Sequence, residues 1–148
     1  MNLDDKYFMT FALREAEKAL EVDEVPVGAV IVDKEGKIIS FGFNTVEKDV
    51  SCIMHAEIKA ILDAQKKLEN WRLDGCSLYV TLEPCIMCCG AIILSRISKV
   101  AYGTIDPKGG SASTILNGKV VVIGGIMEEE SSLLLKSFFK SKRGQRRY

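Results

Sequence analysis

Short apolar runs rich in β-branched residues alternate along this chain with segments of helical periodicity, and this alternation restricts the fold more than any other feature. Strands are predicted at residues 27–32, 37–43, 76–82, 98–103 and 119–123. Helices are predicted from Asp4 or Asp5 up to Pro26 and at residues 55–68, 84–95 and 127–139, with loops at 44–54 and 105–117. This order places helices on both faces of one mixed sheet, so the sequence predicts an α/β fold.

The length of 148 residues suits one domain with a sizeable hydrophobic core. The hydrophobic fraction of 47% and the charged fraction of 27% are typical of a soluble globular protein and argue against a disordered chain. The sequence contains no repeat, low-complexity segment or linker. We therefore expect residues 1–148 to form a single domain.

Five cysteines, an odd number, lie at positions 52, 76, 85, 88 and 89. The N-terminus is acidic and lacks the plan of a signal peptide, and no apolar run approaches the roughly 20 residues that span a bilayer. We therefore expect a cytoplasmic protein, in which cysteines bind metal or lie buried rather than form disulfides. Cys76, in a predicted strand, and Cys89 are expected to be packed in the core.

Two segments carry the residue types that bind a transition metal: His55 with Glu57 two residues later, and Pro84 followed by Cys85 and Cys88. Each segment opens a predicted helix, and cysteines three positions apart share one helix face. The free amides and partial positive charge at a helix N-terminus favour the thiolate over the thiol. Zn²⁺ prefers this mixture of thiolate and imidazole, and His55 is the only histidine in the chain. We therefore predict that His55, Cys85 and Cys88 bind one zinc ion.

Glu57 distinguishes a catalytic zinc site from a structural one. Three protein ligands leave one position of a tetrahedral zinc ion open to water, whereas structural sites are closed by a fourth ligand. Side chains in the first turn of a helix lean toward its N-terminus, so Glu57 can approach the same spot as His55. Because two thiolates neutralise the charge of the ion, a neighbouring base is needed to take a proton from the water. Glu57 is therefore predicted to be the catalytic residue.

A closed structural site is the main alternative from the residues alone. Cys52 and His55 are themselves three positions apart, and together with Cys85 and Cys88 they spell a Cys₃His zinc module. Such a module would make the protein a binding or scaffold domain rather than an enzyme. Two features weigh against it: these modules are small and rich in loops, and Glu57 would have no role.

An H-x-E segment followed by P-C-x-x-C is the known pattern of zinc-dependent nucleobase deaminases. Around these residues the chain resembles the bacterial tRNA-specific adenosine deaminases, which belong to the cytidine deaminase-like superfamily. The resemblance covers nearly the whole chain and is carried by residues 24–30, 44, 55–58, 70–73, 79–88, 90–91, 95–97 and 138–140. It implies a three-layer α/β/α fold with a mixed central sheet, one zinc ion per chain and a homodimer.

The same resemblance implies hydrolytic conversion of the wobble adenosine in a tRNA anticodon to inosine. By position, Asn44 would hydrogen-bond the flipped base, Val27 would line its pocket, and Asp106 would contact the neighbouring nucleotide. Unstacked bases of an anticodon loop are easily splayed into such a pocket. A deaminase acting on free guanine or cytosine is the alternative substrate class, since the zinc pattern is common to both.

The C-terminal 18 residues contain six basic residues and no acid, although the chain as a whole has a formal net charge of zero. We predict that Lys140, Lys142 and Arg143, and with them Arg146 and Arg147, contact tRNA phosphates. On charge alone, a solvated helix end followed by a frayed tail explains the same pattern.

One segment departs from the family pattern. Members of the family usually carry a longer stretch before the last strand, ending in an Asn-His-Arg-like sequence. Here residues 115–118 lead directly into Lys119, and no histidine is present. The departure leaves the catalytic segments intact and concerns the tRNA or dimer contacts of that region.

Overall fold

The computed structural model describes residues 3–143. The helices are α1 (Leu3–Glu21), α2 (Ala56–Leu68), α3 (Ile86–Leu94), α4 (Ala112–Ile115) and α5 (Glu128–Arg143). The strands are β1 (Gly28–Val32), β2 (Ile38–Phe43), β3 (Ser77–Leu82), β4 (Lys99–Thr104) and β5 (Val121–Ile123). Within the described range, every helix falls short of the length and apolar character that a membrane crossing requires.

The five strands form one mixed sheet in the order β2-β1-β3-β4-β5. Strand β1 pairs antiparallel with β2 and with β3, while β3, β4 and β5 run parallel. The parallel pairs are joined by crossovers that contain α3 and α4. The carboxyl ends of β3 and β4 therefore lie at the same edge of the sheet, where α/β proteins commonly bind ligands.

Each face of the sheet is covered by its own helices. Along β3, Leu78 and Val80 pack with α2 and α3 in one hydrophobic cluster, whereas Tyr79 packs with α1 in the other. This period of two is what a strand buried on both faces requires. The structure thus confirms the mixed sheet and the three-layer α/β/α arrangement.

Two glycines in the β1–β2 hairpin bring helix backbones into close contact with the sheet. A Cβ atom at Gly28 would overlap the carbonyl oxygen of Ala12 in α1, and one at Gly42 would overlap that of Ala56 in α2. Gly28 and Gly42 face opposite sides of the sheet, so the hairpin is held between the two helix backbones. Because Ala56 is the first residue of α2, the contact at Gly42 holds the first turn of that helix against β2.

The first helix differs from the prediction at its N-terminus. It begins at Leu3, so Asp4 and Asp5 lie in its first turn rather than at a cap. Asp5 is buried, and its Oδ1 accepts hydrogen bonds from the Tyr79 hydroxyl at 2.7 Å and the Lys99 ammonium at 2.6 Å. A buried carboxylate is stable only when partners of this kind replace its water.

Other boundaries also shift. Helix α1 ends at Glu21, well before Pro26, and Pro84 precedes the N-cap of α3 instead of occupying its first turn. The predicted loop at 105–117 contains the short helix α4, and α5 continues to Arg143.

Candidate active site

The N-termini of α2 and α3 bring the only histidine and two cysteines together. His55 is the N-cap of α2 and Cys85 is the N-cap of α3; both have extended backbones, and neither side chain caps its helix. His55 Nδ1 lies 3.6 Å from the Sγ atoms of both Cys85 and Cys88. The three ligand atoms lie within 4.8 Å of one another. They are therefore close enough to share one metal ion.

The spacing of these atoms fits zinc. Tetrahedral bonds of about 2.3 Å to sulfur and about 2.0 Å to nitrogen place the two ligand atoms about 3.5 Å apart. The observed nitrogen–sulfur separations are 3.6 Å. One imidazole and two sulfurs are also the donor set that a borderline-soft divalent ion prefers.

The two sulfurs differ in how readily they ionise. Hydrogen bonds from Cys88 and then from His55 lower the pKa of the Cys85 thiol to about 3, against the opposing effect of burial. The pKa of Cys88 is raised, first by its hydrogen bond to Cys85 and then by burial. A divalent ion between the two sulfurs would favour the thiolate form of both, because metal ligands bind in their deprotonated form.

Glu57 lies beside this cluster but is not one of its three candidate ligands. It occupies the first turn of α2, with only 3% of its surface exposed. Burial raises the pKa of Glu57, and the nearby His55 partly offsets this effect. The structure therefore puts a protected carboxyl group next to the place where the three ligand atoms meet.

A cleft of about 1040 Å³ opens onto the cluster. The residues predicted from the resemblance to contact substrate, Val27, Asn44 and Asp106, line it together with Glu57. Asn44 is fixed in the wall, since its Nδ2 donates to the Val25 carbonyl at 3.2 Å and its Oδ1 accepts from the Val46 amide at 3.3 Å. A cleft of this volume accommodates a nucleoside.

The end of α5 contributes Phe138, Phe139 and Lys142 to the same cleft. Lys142 Nζ lies 2.5 Å from a carboxylate oxygen of Asp23 and 5.6 Å from the centre of the Phe138 ring. Lys140 and Arg143 are exposed and do not line the cleft. Arg146 and Arg147 lie outside the described residues.

The cysteines outside the cluster divide into two kinds. Cys52 is exposed and lies outside the group of three candidate ligands, so the geometry does not support a closed Cys₃His site. Cys76 and Cys89 are buried, with 4% and 0% of their surfaces exposed, which confirms them as core residues.

Two buried carboxylates in the cleft wall carry no role in the sequence prediction. Glu24 accepts hydrogen bonds from the backbone amides of Glu47 and Lys48, and Glu83 accepts them from those of Asp106 and Ala112. The sequence offered a signal for Glu83 alone, an acidic residue directly after the predicted strand that ends at Leu82, whereas Val25, Pro26 and Val27 separate Glu24 from β1. Their amide partners lie 23 to 29 positions further along the chain, where no pattern points to them.

Several known proteins are similar to this chain over most of its length. The family model of the cytidine and deoxycytidylate deaminase zinc-binding region matches residues 2–104. The tRNA-specific adenosine deaminase of Bacillus subtilis (strain 168) is 44% identical over 151 residues, covering 97% of this chain and 93% of that protein. The tRNA-specific adenosine deaminase of Aquifex aeolicus (strain VF5) is 47% identical over 145 residues, covering 93% and 95%.

A solved structure from a study of A-to-I editing by tRNA:A34 deaminases at the wobble position of transfer RNA is also similar. Its TM-score is 0.82 at 41% identity, and the match covers 87% of this chain and 99% of that one. The match to the family model includes all four residues of the candidate centre: His55, Glu57, Cys85 and Cys88.

Single cysteine replacements separate an open three-ligand site from a closed one. We expect Cys85→Ser to lose its zinc, because a hydroxyl is a far poorer zinc ligand than a thiolate. The matched variant Cys52→Ser should keep about one zinc per chain, as an open site with three protein ligands requires. Inductively coupled plasma mass spectrometry on the purified variants gives the zinc content. Zinc loss from Cys52→Ser would contradict the open site.

Proposed function

This chain belongs to the tRNA-specific adenosine deaminases, within the cytidine and deoxycytidylate deaminase family, and we propose that it deaminates the wobble adenosine of a tRNA anticodon to inosine. One observation carries the proposal: the cluster of His55, Cys85 and Cys88 lies beside Glu57 at a cleft that Lys142 at the end of α5 also lines. A scaffold domain has no use for a buried carboxyl group at the base of such a cleft.

We propose His55 Nδ1 and the sulfurs of Cys85 and Cys88 as the ligands of one zinc ion. When bound, zinc supplies a Lewis acid that lowers the pKa of a water molecule. Protein side chains carry out the proton transfers and bind the substrate. Both N-cap side chains are free of helix capping and so can serve as ligands.

Glu57 is proposed to move the protons. Its carboxylate takes one proton from the attacking water, whose oxygen adds to C6 of the adenine ring. The carboxyl group gives this proton to the ring nitrogen, then takes the remaining proton from the new C6 hydroxyl and passes it to the departing amino group. The C6–N bond breaks, ammonia leaves, and the products are inosine and ammonia. Because only 3% of the Glu57 surface is exposed, bulk water is kept from competing for these protons.

Asn44 and Val27 are proposed to hold the flipped base. Asn44 Nδ2 uses one of its two N–H groups on the Val25 carbonyl, which leaves the second for an acceptor on the base. Val27 supplies an apolar surface in the same wall. Asp106, at the other side of the cleft, is proposed to contact the neighbouring nucleotide.

We propose that Lys140, Lys142 and Arg143 bind phosphates of the tRNA. They lie in the last turn of α5, whose Phe139 is 47% exposed beside the cleft. In the free protein the partner of Lys142 is Asp23, so a phosphate at this position must replace a carboxylate. Such contacts release condensed counterions and make binding depend on salt.

A homodimer is proposed through the apolar face of α3. Ile86 and Leu94 of this helix are 67% and 70% exposed, and Leu62 of the adjacent α2 is 53% exposed. An apolar surface of this kind on a small protein commonly lies at an interface. The resemblance to a dimeric family makes a second copy the occupant of this face.

We further propose that residues 1–148 form one deaminase domain and that it works in the cytoplasm. A single five-stranded sheet organises the described residues, which supports one domain. All five cysteines are free, as expected where thiols are kept reduced and where tRNA is processed.

Glu57→Gln tests the chemistry and the substrate together. Wild-type protein should form inosine in total tRNA and should leave free guanine and cytosine unchanged. The variant should keep about one zinc per chain and lose a factor of about 10²–10⁴ in kcat, because the amide cannot carry the protons. Nucleoside analysis by mass spectrometry and ammonia release measure both. Near-normal activity in a zinc-replete variant, or release of ammonia from a free base alone, would refute the proposal.

Replacing Lys140, Lys142 and Arg143 with alanine tests the tRNA contacts. We expect a higher KM for tRNA and a flatter salt dependence of binding, by roughly one log–log unit for each phosphate that is no longer neutralised. Zinc content should stay the same. The control replaces Lys34, Lys37 and Lys66, which are exposed and carry the same total charge. Equal salt slopes for the two triple variants would show that the end of α5 is only a solvated helix end.

Leu94→Glu tests the homodimer. Sedimentation equilibrium of the wild-type protein should give twice the mass of one chain, and this variant should shift the equilibrium to the monomer, because it buries a charge at the interface. Leu133→Glu on α5 is the matched control, since Leu133 is 63% exposed and lies on a different helix. A wild-type protein that stays monomeric at all concentrations would contradict the proposed dimer.

A further inference from the structure

The buried carboxylate of Glu83 joins the segment that carries Cys85 to the loop that carries Asp106. Glu83 follows the last residue of β3 and is 8% exposed. Its Oε1 accepts a hydrogen bond from the Asp106 amide at 3.1 Å, and its Oε2 accepts one from the Ala112 amide at 3.2 Å. The two oxygens thus hold both ends of the loop at 106–112.

Further backbone hydrogen bonds restrain the loop at 106–112. The Ser111 amide donates to the Pro84 carbonyl at 2.9 Å, and the Gly110 amide donates to the Asp106 carbonyl at 2.9 Å. A Cβ atom at Gly110 would overlap the carboxylate of Glu83 and crowd the Asp106 carbonyl. Glycine at this position is therefore what lets the loop approach the carboxylate closely.

A carboxylate suits this place better than any other side chain. Both of its oxygens must accept from a backbone N–H, and an ionised carboxylate is an acceptor on both sides. Glutamine has the same shape, but whichever way its amide is turned it sets an NH₂ group against one of the two N–H donors. Aspartate is one methylene shorter. Either change breaks part of the double contact.

Resting on the function proposed above, we propose that Glu83 is a positioning residue: it fixes Asp106 and thereby sets the preference for the nucleotide beside the target adenosine. Asp106 and Glu83 both line the cleft, on the wall formed by the ends of β3 and β4. The Asp106 side chain projects from a residue whose backbone amide Glu83 holds directly. The Asp106 carboxylate also accepts from the Lys108 amide at 3.1 Å, within the same loop, so removing Glu83 frees this loop and its carboxylate to shift together relative to the substrate.

Glu83→Gln tests this role in the full-length, zinc-loaded protein. The readout is kcat/KM on anticodon stem-loops that carry the natural nucleotide, or a changed one, on either side of the target adenosine. We expect the ratio of kcat/KM between natural and changed substrates to fall by roughly tenfold, the size of one missing hydrogen bond to a charged group. Most of the change should be in KM, and zinc content should be that of the wild type.

The control is Glu15→Gln, which alters a carboxylate that is also buried but is paired with Lys18 on α1 and does not line the cleft. It should leave the ratio unchanged. Gly110→Ala disturbs the same contact from the loop side and should lower the ratio in the same direction. It also provides the test if Glu83→Gln does not fold.

A double-mutant cycle with Asp106→Ala decides whether Glu83 acts through Asp106. If it does, Glu83→Gln in the Asp106→Ala background adds almost nothing to the loss of selectivity. Additive effects, an unchanged ratio, or loss of zinc from Glu83→Gln would each overturn the proposal. Failure of the wild-type protein to deaminate any stem-loop would instead refute the proposed function itself, and a wild type without preference would refute only the role of Glu83.

Discussion

The N-termini of α2 and α3 meet at one edge of the sheet because each helix is tied to a strand end. Gly42 lets the backbone of Ala56, in the first turn of α2, approach β2 closely. Helix α3 follows β3 within a few residues and must return over the same face to reach the parallel β4. His55 and Cys85 are therefore brought together as the N-caps of the two helices. The cleft, the protected Glu57 and the contacts of α5 are all arranged around that junction.

Three buried carboxyl groups surround the junction, and their environments differ. Glu24 and Glu83 each receive two backbone N–H donors, which offset the cost of removing a charge from water. These two groups hold loops in place. Burial raises the pKa of Glu57, which lies next to the candidate metal ligands, so its carboxyl group is nearer to exchanging a proton than an exposed one. The same residue type thus serves support at two positions and is suited to chemistry at the third.

Structural features that depend on the local residue pattern were predictable from the sequence. Features that depend on contacts between residues far apart in the sequence were not. The β-branched runs predicted all five strands to within about two residues, and both metal-binding segments were correctly placed at helix starts. Helix α4 has only four residues, which is too short to show helical periodicity in the sequence. Its first backbone amide, that of Ala112, donates to the distant carboxylate of Glu83. Asp5 was predicted as a possible cap, but Tyr79 and Lys99, far along the chain, draw it into the interior instead. In the segment before β5, residues 116–120 connect α4 to that strand.

Two parts of the cleft wall, the β1–β2 hairpin and the end of α5, are held in place by contacts of different strength. On the side of Val27 and Asn44, the hairpin is wedged between two helix backbones at Gly28 and Gly42, and its displacement would have to move α1 or α2 as a whole. The end of α5, in contrast, is attached at the cleft by an exposed ion pair between Lys142 and Asp23, together with its aromatic contacts. An exposed ion pair costs only about 0–1 kcal/mol to separate. The free-energy cost of widening the cleft for a large substrate is therefore lowest at the end of α5. The wall of Val27 and Asn44, which would bind the base, stays rigid.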